Sequence, residues 1–78
     1  MTTAERVTAI LSVELGVDAD QVTPEALIAK DLGGDSIDRC EIAMSLEWEF
    51  EVQINDRETF NAQTVSDYIR LIEGKIST

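Results

Sequence analysis

The sequence predicts an all-α fold, a small antiparallel four-helix bundle of three main helices plus one short helix. Three observations predict it. Apolar residues recur at helical spacing in three separate segments, each segment opens behind a Thr, Asp or Ser able to cap a helix, and the only proline, Pro24, lies outside all three. Val52 and Ile54 alternate with polar neighbours over too few positions to make a strand. At 78 residues the chain is expected to form a single domain, 1–78, because so short a chain buries one core and no more.

The elements follow in order. Thr2 with Glu5 three residues on is a capping-box pattern, and Val7, Ile10, Leu11 and Leu15 then repeat at helical spacing until Gly16 offers a left-handed stop, giving a first helix over residues 3–15. Residues 17–35 contain Asp18, Asp20, Thr23-Pro24 and Gly33-Gly34, which reads as a long structured loop with room for one helical turn, pinned to the core by Leu27, Ile28 and Leu32. Asp35 and Ser36 both suit the N-cap of the next helix, which runs from Ile37 to Phe50 without Gly or Pro. Asp56 to Phe60 suits one short helical turn. Thr64 with Asp67 caps a last helix carrying Val65, Tyr68, Ile69 and Ile72 as far as Gly74.

Charge and composition narrow the function. Sixteen Asp and Glu against six Lys and Arg give a formal charge of −10, which repels nucleic-acid phosphates and anionic membrane surfaces and favours basic partner proteins. The 44% apolar fraction is too high for a disordered acidic tail. With no His and one Cys there is no zinc site, no internal disulfide and no Ser/His or Cys/His relay, so the chain is not expected to be an enzyme. The acidic loops around Asp18 and Asp20 or Asp31 and Asp35 lack the alternating ligands, central Gly and terminal Glu of a calcium loop. The first residues hold no basic stretch followed by an apolar run, which points to the cytoplasm, and the chain is expected to be a monomer.

The helix from Ile37 to Phe50 carries two apolar stripes. On a wheel at about 100° per residue, Ile42, Ala43, Leu46 and Phe50 share one side, and Ile37, Cys40, Met44 and Trp48 share the other. A peripheral helix of a small bundle buries one stripe, so the second is expected to stay in water as a docking surface rimmed by Glu41 and Glu47. Arg39 falls among the core-facing residues near the helix start, where the dipole disfavours a cation, and its guanidinium is expected to reach out to the edge of the core.

The stretch from Asp31 to Ile54, DLGGDSIDRCEIAMSLEWEFEVQI, resembles the acyl carrier protein family, whose signature is an Asp-Ser-Leu triplet opening an acidic second helix that ends in Glu-rich sequence and Phe. The likeness extends to Thr64-Val-Ser-Asp-Tyr-Ile69 in the last helix. The resemblance implies an acyl-carrier-protein-like bundle in which Ser36 bears 4′-phosphopantetheine as a phosphodiester, with Asp35 of the same triplet presenting the serine. Ile37, Asp38, Cys40, Glu41, Met44, Glu47 and Trp48 would then meet the partners. Those are a phosphopantetheinyl transferase and acyl-processing enzymes such as a ketosynthase, acyltransferase or acyl-ligase with basic docking patches. The arm would hold acyl groups as thioesters, and in fatty-acid carriers of this family the chain folds back among the helices, where Ala43, Leu46, Ile54, Phe60, Ala62 and Tyr68 would line its path. Gly33 and Gly34 are expected to leave room for a swinging arm.

Two departures bear on cargo. Ile37 stands where fatty-acid carriers have Leu, and Gly33-Gly34 is similar to the Leu-Gly-Gly-x-Ser motif of peptidyl carriers, whereas the acidic helix and Glu47-Trp-Glu-Phe-Glu51 favour the acyl type. Trp48, in place of an acidic residue, points to a specialised set of enzymes. The alternatives are a peptidyl or aminoacyl carrier, and an acidic interaction module in which Ser36 stays unmodified.

Overall fold

Each of the four helices of the described residues begins with the same reciprocal device, a capping residue paired with an acidic residue three positions on. In the computed structural model, which describes residues 1–77, these are Thr2 with Glu5 before α1 (Thr3–Leu15), Asp35 with Asp38 before α2 (Ser36–Phe50), Asn55 with Glu58 before α3 (Asp56–Asn61), and Thr64 with Asp67 before α4 (Val65–Ile76). Each box satisfies two backbone N–H groups and sets a carboxylate at the positive end of a helix dipole. Part of the chain's acidity thus stabilises the fold it would otherwise repel.

The four helices form the expected all-α bundle, with no strand among the described residues beyond an isolated bridge between Leu27 and Thr64. Helix α1 has the anticipated limits, and Gly16 ends it at φ 65°. A single turn of 3₁₀ helix, Ala19–Gln21, is the helical turn foreseen in the long loop. Two expectations are corrected. Asp35, not Ser36, takes the N-cap of α2, and Ser36 becomes its first helical residue. Helix α4 passes through Gly74 to Ile76, because Lys75 on its last turn reaches Glu58 of α3 at 2.9 Å and extends the packed length.

The core gathers Val7 and Leu11 from α1, Ile28 and Leu32 from the loop, Ile42, Leu46 and Phe50 from α2, and Val65, Tyr68 and Ile72 from α4. Arg6 ties α1 to α2 by pairing with Glu49 at 2.8 Å while its guanidinium stands 4.3 Å over the Phe50 ring. The long loop is fastened to the start of α4 by backbone bonds from Ile28 N to Gln63 O (2.9 Å), Val65 N to Ala26 O (3.1 Å) and Ser66 N to Pro24 O (2.9 Å). The approach to Ser36 is therefore part of the packed structure.

Candidate functional site

The first turn of α2 is built by its own acidic residues. Asp35 Oδ1 accepts from the Asp38 N–H at 2.9 Å, and Asp38 Oδ2 accepts from the Asp35 N–H at 3.1 Å. Ser36 stands between them, exposed, with its hydroxyl outside these bonds and the N–H groups of Ser36 and Ile37 unclaimed by the cap. An exposed hydroxyl beside free amides at the positive end of a fifteen-residue helix suits an anionic substituent.

The two glycines ahead of this turn do something other than leave space. Gly33 adopts φ 72°, a left-handed conformation that a side chain disfavours. Gly34 is buried, and a β-carbon there would stand 2.9 Å from side-chain atoms of both Ile28 and Leu15. The pair hold the loop tight against the core, which corrects the expectation of slack beside Ser36.

Along α2 the two stripes separate as anticipated. Ile42 and Leu46 are fully buried, and Ala43 and Phe50 are nearly so, while Ile37 (68% exposed), Met44 (62%) and Trp48 (87%) stand in water with Cys40 and Glu41 beside them. Two acidic residues expected at this face have other employment. Glu47 is half-buried and accepts from the Ile54 N–H at 2.8 Å, securing the turn after α2, and Asp38 belongs to the cap. Of the residues expected to line an acyl path, Ala43, Leu46, Ala62 and Tyr68 lie in the core and Ile54 at its edge, but the Phe60 side chain is half-exposed.

Arg39 is the functional-site neighbour whose role the sequence left without an account. Its Nη2 donates to the carbonyls of Thr59 (3.1 Å), Phe60 (3.3 Å) and Ala62, closing the C-terminal end of α3. The cation thus sits at the negative end of a neighbouring helix, which offsets its unfavourable place near the start of its own. The only signal in the sequence is a cation on an otherwise apolar face.

Comparison with known proteins settles the family. Residues 5–72 match the phosphopantetheine attachment site family. Over 75 residues the chain is 45% identical to an acyl carrier protein of Solidesulfovibrio magneticus, spanning 96% of each chain. This chain belongs to the acyl carrier protein family. Its fold also matches a solved acyl carrier protein from Enterococcus faecalis with a TM-score of 0.78 at 33% identity, covering 94% of this chain and 92% of the other. It is a carrier and not an enzyme, its prosthetic group is covalently attached 4′-phosphopantetheine, and its partners are synthase and acyl-processing enzymes. When attached, that group supplies a terminal thiol that bears the acyl chain as a thioester. No helix among the described residues is long and apolar enough to cross a membrane.

Proposed function

We propose that Ser36 is the attachment residue, and that residues 1–78 act as a single carrier domain that visits its enzymes through the exposed stripe of α2. The observation that carries this reading is the exposed Ser36 hydroxyl on the first residue of α2, outside a cap made entirely by Asp35 and Asp38. Those two residues hold the turn rigid, so a transferase meets the hydroxyl in one orientation. Asp35 acts by positioning, through its bond to the Asp38 N–H. The free amides and the helix dipole favour the phosphate, in opposition to the two neighbouring carboxylates.

Ile37, Cys40, Met44 and Trp48 form the apolar centre of the contact face, with Glu41 and the outer edge of Glu47 as its acidic margin. A net charge of −10 attracts enzymes with basic docking patches, among them a phosphopantetheinyl transferase and then a ketosynthase, acyltransferase or acyl-ligase. The carrier works as a monomer in the cytoplasm. Identity to an acyl carrier protein supports an acyl cargo over a peptidyl one. The test is incubation with coenzyme A and a broad-specificity transferase, followed by intact mass. The wild type gains one phosphopantetheine and Ser36→Ala gains none; an unmodified wild type, or a modified Ser36→Ala, overturns the assignment.

A further inference from the structure

The outer seam between α1 and α2 holds a cavity of about 220 Å³, lined by Ala9, Ile10, Val13 and Glu14 of α1 and by Ser45 of α2. It lies outside the exposed stripe of α2 but adjoins it, because Ser45 is one helical turn from both Glu41 and Trp48. Ile10 is half-buried against the core, whereas Ala9 is exposed and Val13 stands 78% in water. These three make an apolar strip on α1 that core packing does not use. The polar groups of the cavity serve each other, Ser45 Oγ donating to Glu14 Oε1 at 2.8 Å, so what the cavity offers a ligand is apolar contact. Its volume falls below the roughly 300–1,000 Å³ of sites that enclose a small molecule, and suits a single side chain. The surroundings are acidic: Glu5 precedes Ala9 by one turn, Glu14 is in the lining, and Glu41 and Glu49 stand one turn to either side of Ser45. The cations of the two helices are already committed, Arg6 to Glu49 and Arg39 to the end of α3.

We propose that this cavity receives an apolar side chain from a basic helix of an acyl-processing enzyme, so that the carrier is gripped across α1 and α2 together. The proposal rests on the reading of α2 as the contact face and extends that face onto a second helix. Charge complementarity selects the occupant: carboxylates around an apolar centre fit a Leu, Met or Phe with Lys or Arg a turn away on the same helix. A second copy of this chain is a poor occupant, since each carries a charge of −10 and brings carboxylates to carboxylates. The grip has a mechanical consequence. A contact confined to one helix lets the carrier roll about that helix's axis, whereas a second contact on α1 fixes the roll. Ser45 lies nine residues beyond Ser36, about 14 Å along α2, so fixing the roll there sets the direction in which an arm on Ser36 enters the enzyme. An acyl-processing enzyme needs this most, because it must meet the thiol at the far end of a flexible arm.

The test uses the full-length chain carrying phosphopantetheine, with its Ile and Val methyls labelled for NMR, and a ketosynthase first shown by turnover to accept the loaded carrier. Failure to load on Ser36 speaks against the attachment reading alone. On titration with the enzyme, the methyl resonances of Ile10 and Val13 are expected to shift. Val13→Asn, a neutral exchange of similar helix propensity at an exposed position, is expected to weaken the complex about fivefold with the thermal midpoint unchanged. Trp48→Ala serves as the comparison on α2. Unshifted Ile10 and Val13 methyls, or wild-type affinity in Val13→Asn, in a complex that Trp48→Ala weakens, overturn the proposal and leave the α2 reading standing. If Trp48→Ala also binds as wild type does, the α2 reading falls with it. Shifts of the same methyls that grow with carrier concentration in the absence of enzyme assign the cavity to a second copy and overturn the proposal as well.

Discussion

Gly34 lies directly against Ile28: its N–H donates to the Ile28 carbonyl at 2.8 Å, and a β-carbon on Gly34 would stand 2.9 Å from the Ile28 γ-methyl and 3.1 Å from that same carbonyl oxygen. The turn that delivers Ser36 is thus set by close backbone packing. Gly34→Ala is expected to destabilise the fold by about 1–3 kcal/mol, because the backbone oxygen has no room to yield. Urea denaturation measures this. It should also slow transferase loading, since the loop must shift to admit the methyl.

Ser36 and Asp35 should separate chemistry from stability. Ser36→Ala removes an exposed hydroxyl outside the cap and should change stability by no more than about 0.5 kcal/mol while abolishing loading. Asp35→Ala deletes the cap of α2 and should cost about 1 kcal/mol, with loading slowed but not lost. Parallel thermal unfolding and mass measurements distinguish the two.

On the exposed stripe, Trp48→Ala and Met44→Ala should leave the fold within about 0.5 kcal/mol of wild type, since both side chains are mostly in water. Dissociation from a partner enzyme should become about tenfold faster for Trp48→Ala, as expected for a central aromatic anchor. Glu41→Lys should instead slow association, most visibly at low salt. Surface plasmon resonance at two ionic strengths reads both rates.

Acid should loosen the caps. Asp67 is held below its usual 3.8 by the N–H groups of Gln63 and Thr64, with the Thr64 hydroxyl and Arg70 adding to the effect against desolvation. Glu58 is held below 4.5, first by the Asn55 N–H and then by Lys75, and Glu5 likewise by the backbone and hydroxyl of Thr2. A carboxylate whose folded pKa is depressed contributes stability that is present above its unfolded pKa and lost as pH falls through the folded one. Asp67→Asn should accordingly be less stable than wild type at neutral pH, with the gap closing as pH drops below 3.8 toward the depressed folded value. Thermal midpoints of the two proteins across this range check it, and the wild-type/variant difference cancels the general relief of negative self-repulsion on acidification.

What the sequence made legible was local. The limits of α1, the capping pairs at Thr2 and Thr64 and the two stripes of α2 all depend on residues a few positions apart, where helical spacing speaks directly. What it hid depends on distant partners. Arg39 finds its carbonyls at Thr59, Phe60 and Ala62, Glu47 turns to the Ile54 N–H, and Lys75 carries α4 beyond Gly74 by meeting Glu58. Ser36 was legible as special through family resemblance, but its place inside the helix was not, because Asp35 and Ser36 compete for one cap and the tie is broken by Asp38 reaching back.

The backbone bonds that join the long loop to Gln63, Val65 and Ser66 set an order of events during synthesis. Until residue 66 has left the ribosome, the segment before the serine has nothing downstream to lie against, even though the serine itself emerged long before. A transferase acting on Ser36, as proposed above, therefore meets the finished loop only after residue 66 has emerged, and chains halted short of that point present the serine on an unfastened segment.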